Sequence, residues 1–250
     1  MANSLAQTSL RDNAMISISP LGAFLRKRAA VATRFGYSQS SISSFTHTRV
    51  ALEVAVHRPN ESFDMPWMES ESWVNAVNEF WFEDLRPVDW FGGGARIDTE
   101  IRARFGGLRD DLKNNPPQSE HLESDGLLAA VIVFDQFSRN LFRMSPEAYA
   151  TDSLALTLAC HAVDRGLDAS LGLHQRQFLY MPFMHGENRE MQERSLALFR
   201  QLGAPDLLGY AEHHCQVIER FGRFPHRNAV LGRESTIDEL EFLSSEPEYL

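Results

Sequence analysis

The chain has 250 residues, 43% hydrophobic and 23% charged, with two cysteines and a formal net charge of −10. That composition suits a soluble globular domain with a sizeable core and excludes a collagen-like repeat, a disulfide scaffold and wholesale disorder. No run approaches the roughly 18 uninterrupted apolar residues of a spanning helix, and the acidic balance argues against broad nucleic-acid binding, so neither a membrane nor a nucleic-acid partner is expected.

Charge divides the chain. Residues 1–60 hold seven basic side chains and two acidic ones, a net of +5, which leaves −15 for the remainder. This first stretch is rich in Ser, Ala and Arg. It reads as an organellar transit peptide, a disordered leader, or upstream sequence translated from a mis-called start. The division is therefore a disordered or targeting-like extension over 1–66 and a helical domain over 67–250. Cytoplasmic residence is the expectation, with organellar targeting by residues 1–60 as the alternative. Cys160 and Cys215 lack CxxC or CxxH spacing and read as small buried apolar residues in a reducing compartment, not as a disulfide or a zinc site.

From Trp67 onward the periodicity is helical. Ser70 to Leu85 sets Trp73, Val77, Phe80, Trp81 and Asp84 at helical spacing, with a break at Pro87. Phe91-Gly92-Gly93-Gly94 is a flexible turn without the setting of a phosphate-binding loop. Asp98 is placed to cap a helix carrying Ile101, Phe105 and Leu108, and Asn114-Asn115-Pro116-Pro117 ends it. Leu122 to Arg143, the most apolar run, reads as a central buried helix. Ser145 and Pro146 predict the start of the next helix and Gly166 its end. Further helices are predicted over Leu173 to Tyr180, Glu187 to Leu202 (stopping at Gly203) and Pro205 to Phe221 (stopping at Gly222). Thr236 with Glu239 forms a capping-box pattern for a last short helix. No alternating strand appears, so the fold class is all-α.

Four motifs could carry chemistry. Arg220 to Arg233 holds four arginines and one histidine without an acid. It is either an anion pocket, guanidinium forks being suited to carboxylate or phosphate, or an ion-paired loop locking helix ends. In the helix before it, His214 lies on the apolar stripe of Leu207, Ala211, Ile218 and Phe221, either as a core residue or as a proton-transfer group. His185 and Glu187 could ligate a metal with His214 or His226, or Glu187 could complement a helix start. HExxH is absent, and neither a metal nor a cofactor is assigned. In the central helix Asp135 precedes Arg139 by four residues and Gln136 precedes Asn140 by four, giving a polar seam through an apolar core, either catalytic or a structural lock.

These motifs, with Phe80-Trp81-Phe82, Trp90-Phe91 and Phe178 to His185, resemble the bacterial DUF924 family in the family's order over residues 73–243. Asp135, Gln136, Arg139 and Asn140 match its DQF-RN core, with Ser138 where the pattern has proline. His185 and Glu187 match its histidine and acid, with Gly186 where serine is common. His214, Arg220, Arg223, His226, Arg227, Asn228 and Arg233 match its final motif. The family's kinship with the tetratricopeptide-like superfamily implies antiparallel helical pairs stacked in an array. Its activity is undefined, so the resemblance implies no substrate.

The leading expectation is an interhelical pocket binding a small anionic molecule. His185, His214 and His226 are its catalytic candidates, for hydrolysis or group transfer. Asp135, Arg139, Asn140, Glu187, Arg220, Arg223, Arg227, Asn228 and Arg233 are its ligand-binding set. The alternative is a tetratricopeptide-like scaffold for peptides, in which the same motifs are structural staples.

Overall fold

The computed structural model describes residues 70–92 and 94–245. The expectations for residues 1–66 lie outside the described residues. Among the described residues no strand occurs, and no helix is long and apolar enough to cross a membrane.

Helix α1 (Ser70–Glu79) runs on into a π-helical segment, Phe80–Asp84. Then come α2 (Pro87–Gly92) and α3 (Gly94–Asn114). The most apolar stretch forms α4 (Ser124–Val131), a second π-helical segment (Ile132–Phe137) and α5 (Ser138–Leu141), one continuous rod. After a 3-10 turn at Pro146–Tyr149 come α6 (Asp152–Asp164), α7 (Leu173–His185), α8 (Arg189–Leu202) and α9 (Pro205–Phe221). A 3-10 turn at Pro225–Arg227 leads to α10 (Ile237–Ser245).

From Leu127 through Phe134 the rod that α4 begins is apolar on every side and fully shielded from solvent, which makes it the axis of the core. Helices α1, α6 and α7 pack around it, and α3 lies along α5 and the second π segment. Aromatic rings bind these layers: Phe80, Phe105 and Phe137 meet at centroid distances of 4.9–6.0 Å, and Trp81 meets Phe178 edge-on at 5.4 Å. Helices α7, α8 and α9 pack in sequence, α8 touching both neighbours. Their connections are so short that the chain must reverse at each.

Several predicted boundaries hold. Gly166, Gly203 and Gly222 end their helices at φ of +67°, +71° and +71°. The Thr236–Glu239 capping box forms in both directions, at 3.2 and 2.7 Å. Others move. Ser145 caps only the 3-10 turn, its Oγ accepting from Glu147 N at 3.3 Å. The α-helix waits until Asp152 because Thr151 turns its hydroxyl inward to the Phe134 carbonyl. Asp98 lies within α3, not at its start, and accepts instead from Asn140 Nδ2 at 2.7 Å and from Arg143. The predicted Gln136–Asn140 pair is replaced by that contact. Helix α7 continues past Tyr180 through Pro182 to His185, held by a face buried from Gln177 to Met184. Both cysteines are free; Cys215 is buried and Cys160 half-buried.

Candidate functional site

The site begins at the second π segment. A π turn admits one more residue than an α turn, which changes the direction of every side chain beyond it. The segment is pinned from outside: Thr151 Oγ1 donates to the Phe134 carbonyl at 2.7 Å, the Thr151 and Ser138 hydroxyls meet at 2.8 Å, and Arg109 Nε donates to Ser138 Oγ at 3.1 Å. Ser138, Thr151 and Arg109 are all buried. The next residue after the pinned carbonyl is Asp135, whose carboxylate is itself buried.

Asp135 Oδ1 accepts from His185 Nδ1 at 2.8 Å and ion-pairs with Arg139 at 3.0 Å, while Arg139 Nη1 donates to the Asp135 carbonyl at 2.7 Å and Oδ2 accepts from Gln136 Nε2 at 2.6 Å. Burial alone would raise this carboxyl, but the Arg139 charge and the bonds from His185 and Gln136 outweigh it and hold it well below the usual carboxylate range. His185 is pushed the other way. Burial, joined by the Arg139 and Arg227 charges, lowers its imidazole further than Asp135 raises it, so the ring is neutral near pH 7. An ionised carboxylate only accepts, so His185 carries its proton on Nδ1 and a lone pair on Nε2.

His214 is fixed in the same tautomer by a different partner. Its Nδ1 donates to the Tyr210 carbonyl at 2.8 Å, and its ring centroid lies 6.3 Å from that of His185. Burial, reinforced by His185, pushes it down to about 3. His226, across Phe224 at 5.6 Å, is pushed down to about 3 by burial and by the Arg227 charge.

Two arginines complete the cluster. Arg139 binds both oxygens of Asp152, at 2.9 and 3.1 Å. Arg227, 6% exposed, packs its guanidinium on the rings of Tyr149 and Phe224 at 4.7 and 4.6 Å. Its Nη1 reaches Asp152 Oδ2 only at 3.5 Å, and its buried Nε has no hydrogen-bond partner among the described residues. His226 Nδ1 is likewise buried without one. Burial, then repulsion from Arg139, lowers the Arg227 pKa, while burial raises that of Asp152.

The remaining motif residues form brackets. Glu187 lies before the N-cap Asn188 of α8, so it does not complement a helix start. It takes Arg233 on both oxygens at 2.6 and 2.9 Å and the Phe224 amide at 2.8 Å. Arg223 embraces Glu239 at 2.7 and 2.9 Å, and Asn228 Nδ2 donates to Glu239 Oε2 at 3.2 Å. Arg220 lies over Phe221 at 4.6 Å, apart from the cluster, and Asn140 is engaged with Asp98. The fold thus gathers Asp135, Arg139, His185, His214, His226 and Arg227, with Glu187 and Arg233 at the rim. Two members escaped the sequence reading, Asp152 and Tyr149. Their signal was indirect: buried arginines demand carboxylates and ring faces, and both residues border the α6 start. Among the described residues no group of three or more His, Cys, Asp or Glu side chains is arranged to hold a metal ion. Chemically, an Asp–His pair whose Nε2 has no partner is the arrangement a general base requires, and a buried guanidinium is the kind of group that an oxyanion can pair with.

A family model described as a bacterial protein of unknown function, DUF924, matches residues 77–247. The chain belongs to the DUF924 family. The matched span contains every residue of the cluster. A solved structure of a protein of unknown function from Agrobacterium tumefaciens is 35% identical, with a TM-score of 0.66 over 70% of this chain and 98% of that one. The helical architecture of this chain is therefore shared across nearly the whole of that relative. No curated protein matches the chain.

Proposed function

We propose that this DUF924 protein binds a small anionic molecule beside Arg227, and that the Asp135–His185 pair moves a proton on it in a hydrolysis or group transfer. The observation that carries the reading is Arg227 itself: a shielded guanidinium with a buried Nε lacking an acceptor and a single carboxylate contact at 3.5 Å. Such a group stays charged near neutrality, and leaving its donors unpaired costs on the order of 1–3 kcal/mol. An incoming carboxylate or phosphate supplies the missing acceptors. We assign the chain to the cytoplasm on the same footing, since free Cys160 and Cys215 are the usual state of thiols in a reducing compartment.

The test is thermal denaturation of the full chain with inorganic phosphate, acetate and other simple anions. At least one should raise Tm, Arg227→Ala should remove the effect while circular dichroism stays helical, and Arg227→Lys should weaken binding about tenfold by keeping charge without the fork. Equal shifts in wild type and Arg227→Ala, or none in either, would refute the reading.

A second reading has its own support. The two-pronged Arg223–Glu239 and Arg233–Glu187 contacts favour a tetratricopeptide-like scaffold, with stacked helical pairs offering a surface to peptides and the arginines as staples. On that reading no small anion stabilises the wild type, and Arg223→Ala or Arg233→Ala impairs the fold more than any binding.

A further inference from the structure

Arg227 describes one end of a ligand; the histidines describe the other. His185 spends its Nδ1 proton on Asp135 and His214 spends its own on the Tyr210 carbonyl. Both contacts are with groups that can only accept, so both rings are fixed in the same tautomer and each neutral ring keeps one lone pair, at Nε2. Neither Nε2 has a hydrogen-bond partner among the described residues, and both histidines are only partly buried. Two such lone pairs cannot satisfy each other. With ring centroids 6.3 Å apart, an ammonium group can donate to both at once and a hydroxyl can pass its single proton between them. The site therefore offers donors at Arg227 and bare acceptors at His185 and His214.

Resting on the anion reading above, we infer that the ligand carries a hydroxyl or ammonium group as well as its oxyanion: a small hydroxy- or amino-carboxylate, with the oxyanion on Arg227 and the donor on Nε2 of His185 and His214. The arrangement makes chemical sense of the Asp135–His185 pair, because the proton within its reach is the one on that donor group. Local charge agrees. Arg139 and Arg227 are balanced by Asp135 and Asp152, so a zwitterionic amino-carboxylate adds no net charge and a hydroxy-carboxylate adds a single negative one.

The experiment uses the full chain and three matched series: acetate, propionate and butyrate; glycolate, 3-hydroxypropionate and 4-hydroxybutyrate; glycine, β-alanine and 4-aminobutyrate. Affinities come from thermal shift, and the histidine ring nitrogens are followed by long-range nitrogen–proton NMR. A hydroxy or amino member should bind at least about tenfold tighter than its plain counterpart and move the Nε2 resonances of His185 and His214 toward their hydrogen-bonded values. The series that does so tells hydroxyl from ammonium. His214→Phe keeps a ring against Phe224 and should erase that advantage while plain-carboxylate binding survives. Should that variant not fold, the wild-type Nε2 shifts decide alone. Equal binding of plain and donor-bearing members overturns this inference and leaves the anion reading standing. If no carboxylate and no phosphate binds in an Arg227-dependent way, the anion reading fails and takes this inference with it.

Discussion

Thr151 and Asp135 show how much depends on single side chains. The Thr151 hydroxyl serves two buried partners, the Phe134 carbonyl and Ser138 Oγ, and through the carbonyl it fixes the turn that aims Asp135. Thr151→Val keeps the shape and strands both partners, so urea denaturation should show a loss of about 1–3 kcal/mol, largely recovered in Thr151→Ser. The valine variant should also lose the downfield proton resonance of His185 Nδ1, which a merely structural hydroxyl would leave in place. Asp135→Ala removes one partner of a buried pair and should cost about 3–5 kcal/mol. The sequence revealed Asp135 and Arg139 through their helical spacing, since local pairs repeat with the helix. It hid Asp152 and Tyr149 because their meeting with Arg227 spans 75 residues or more, beyond any periodicity.

Helices were legible where their ends have their own chemistry and illegible where tertiary packing overrides it. Gly222 ends α9 as its position predicts, and its backbone at φ +71° lies in the left-handed region that a side chain resists. A Cβ there would meet no atom within 4 Å, so the cost of Gly222→Ala is one of backbone conformation alone, about 1 kcal/mol by urea titration. Helix α7 is the opposite case. Pro182 argues for a stop, yet burial of Phe178, Leu179, Phe183 and Met184 carries the helix on and thereby delivers His185 to Asp135. The π segment of the central rod was equally invisible. An added residue per turn leaves no trace in a run that is apolar on both sides of Asp135 and Gln136, and only the buried hydroxyls of Ser138 and Thr151 mark it.

Across the whole molecule the buried histidines set the response to acid. His214 and His226 sit at about 3 in the folded chain, pushed down by burial from 6.5. Between those values the unfolded chain binds more protons than the folded one, so stability rises with pH and is lost as pH falls from about 6.5 toward 3. Glu239, held at about 2 by its hydrogen bond from Arg223, adds a loss below the ordinary carboxylate range. Tm should therefore fall steeply from pH 6 to pH 4, and His226→Gln should flatten that slope. The described residues also form two apolar clusters. The large one runs from Trp73 to Ala211, and the small one joins Val217, Ile218, Phe224 and Phe242, with Phe221 against it. Because the small cluster owns its apolar contacts, the stretch from Phe224 through α10 can open without wetting the main interior. Amide protons of α10 and of the turn at Pro225–Arg227 should then exchange with deuterium well before those of α4, and each such opening is a doorway to the buried edge of Arg227.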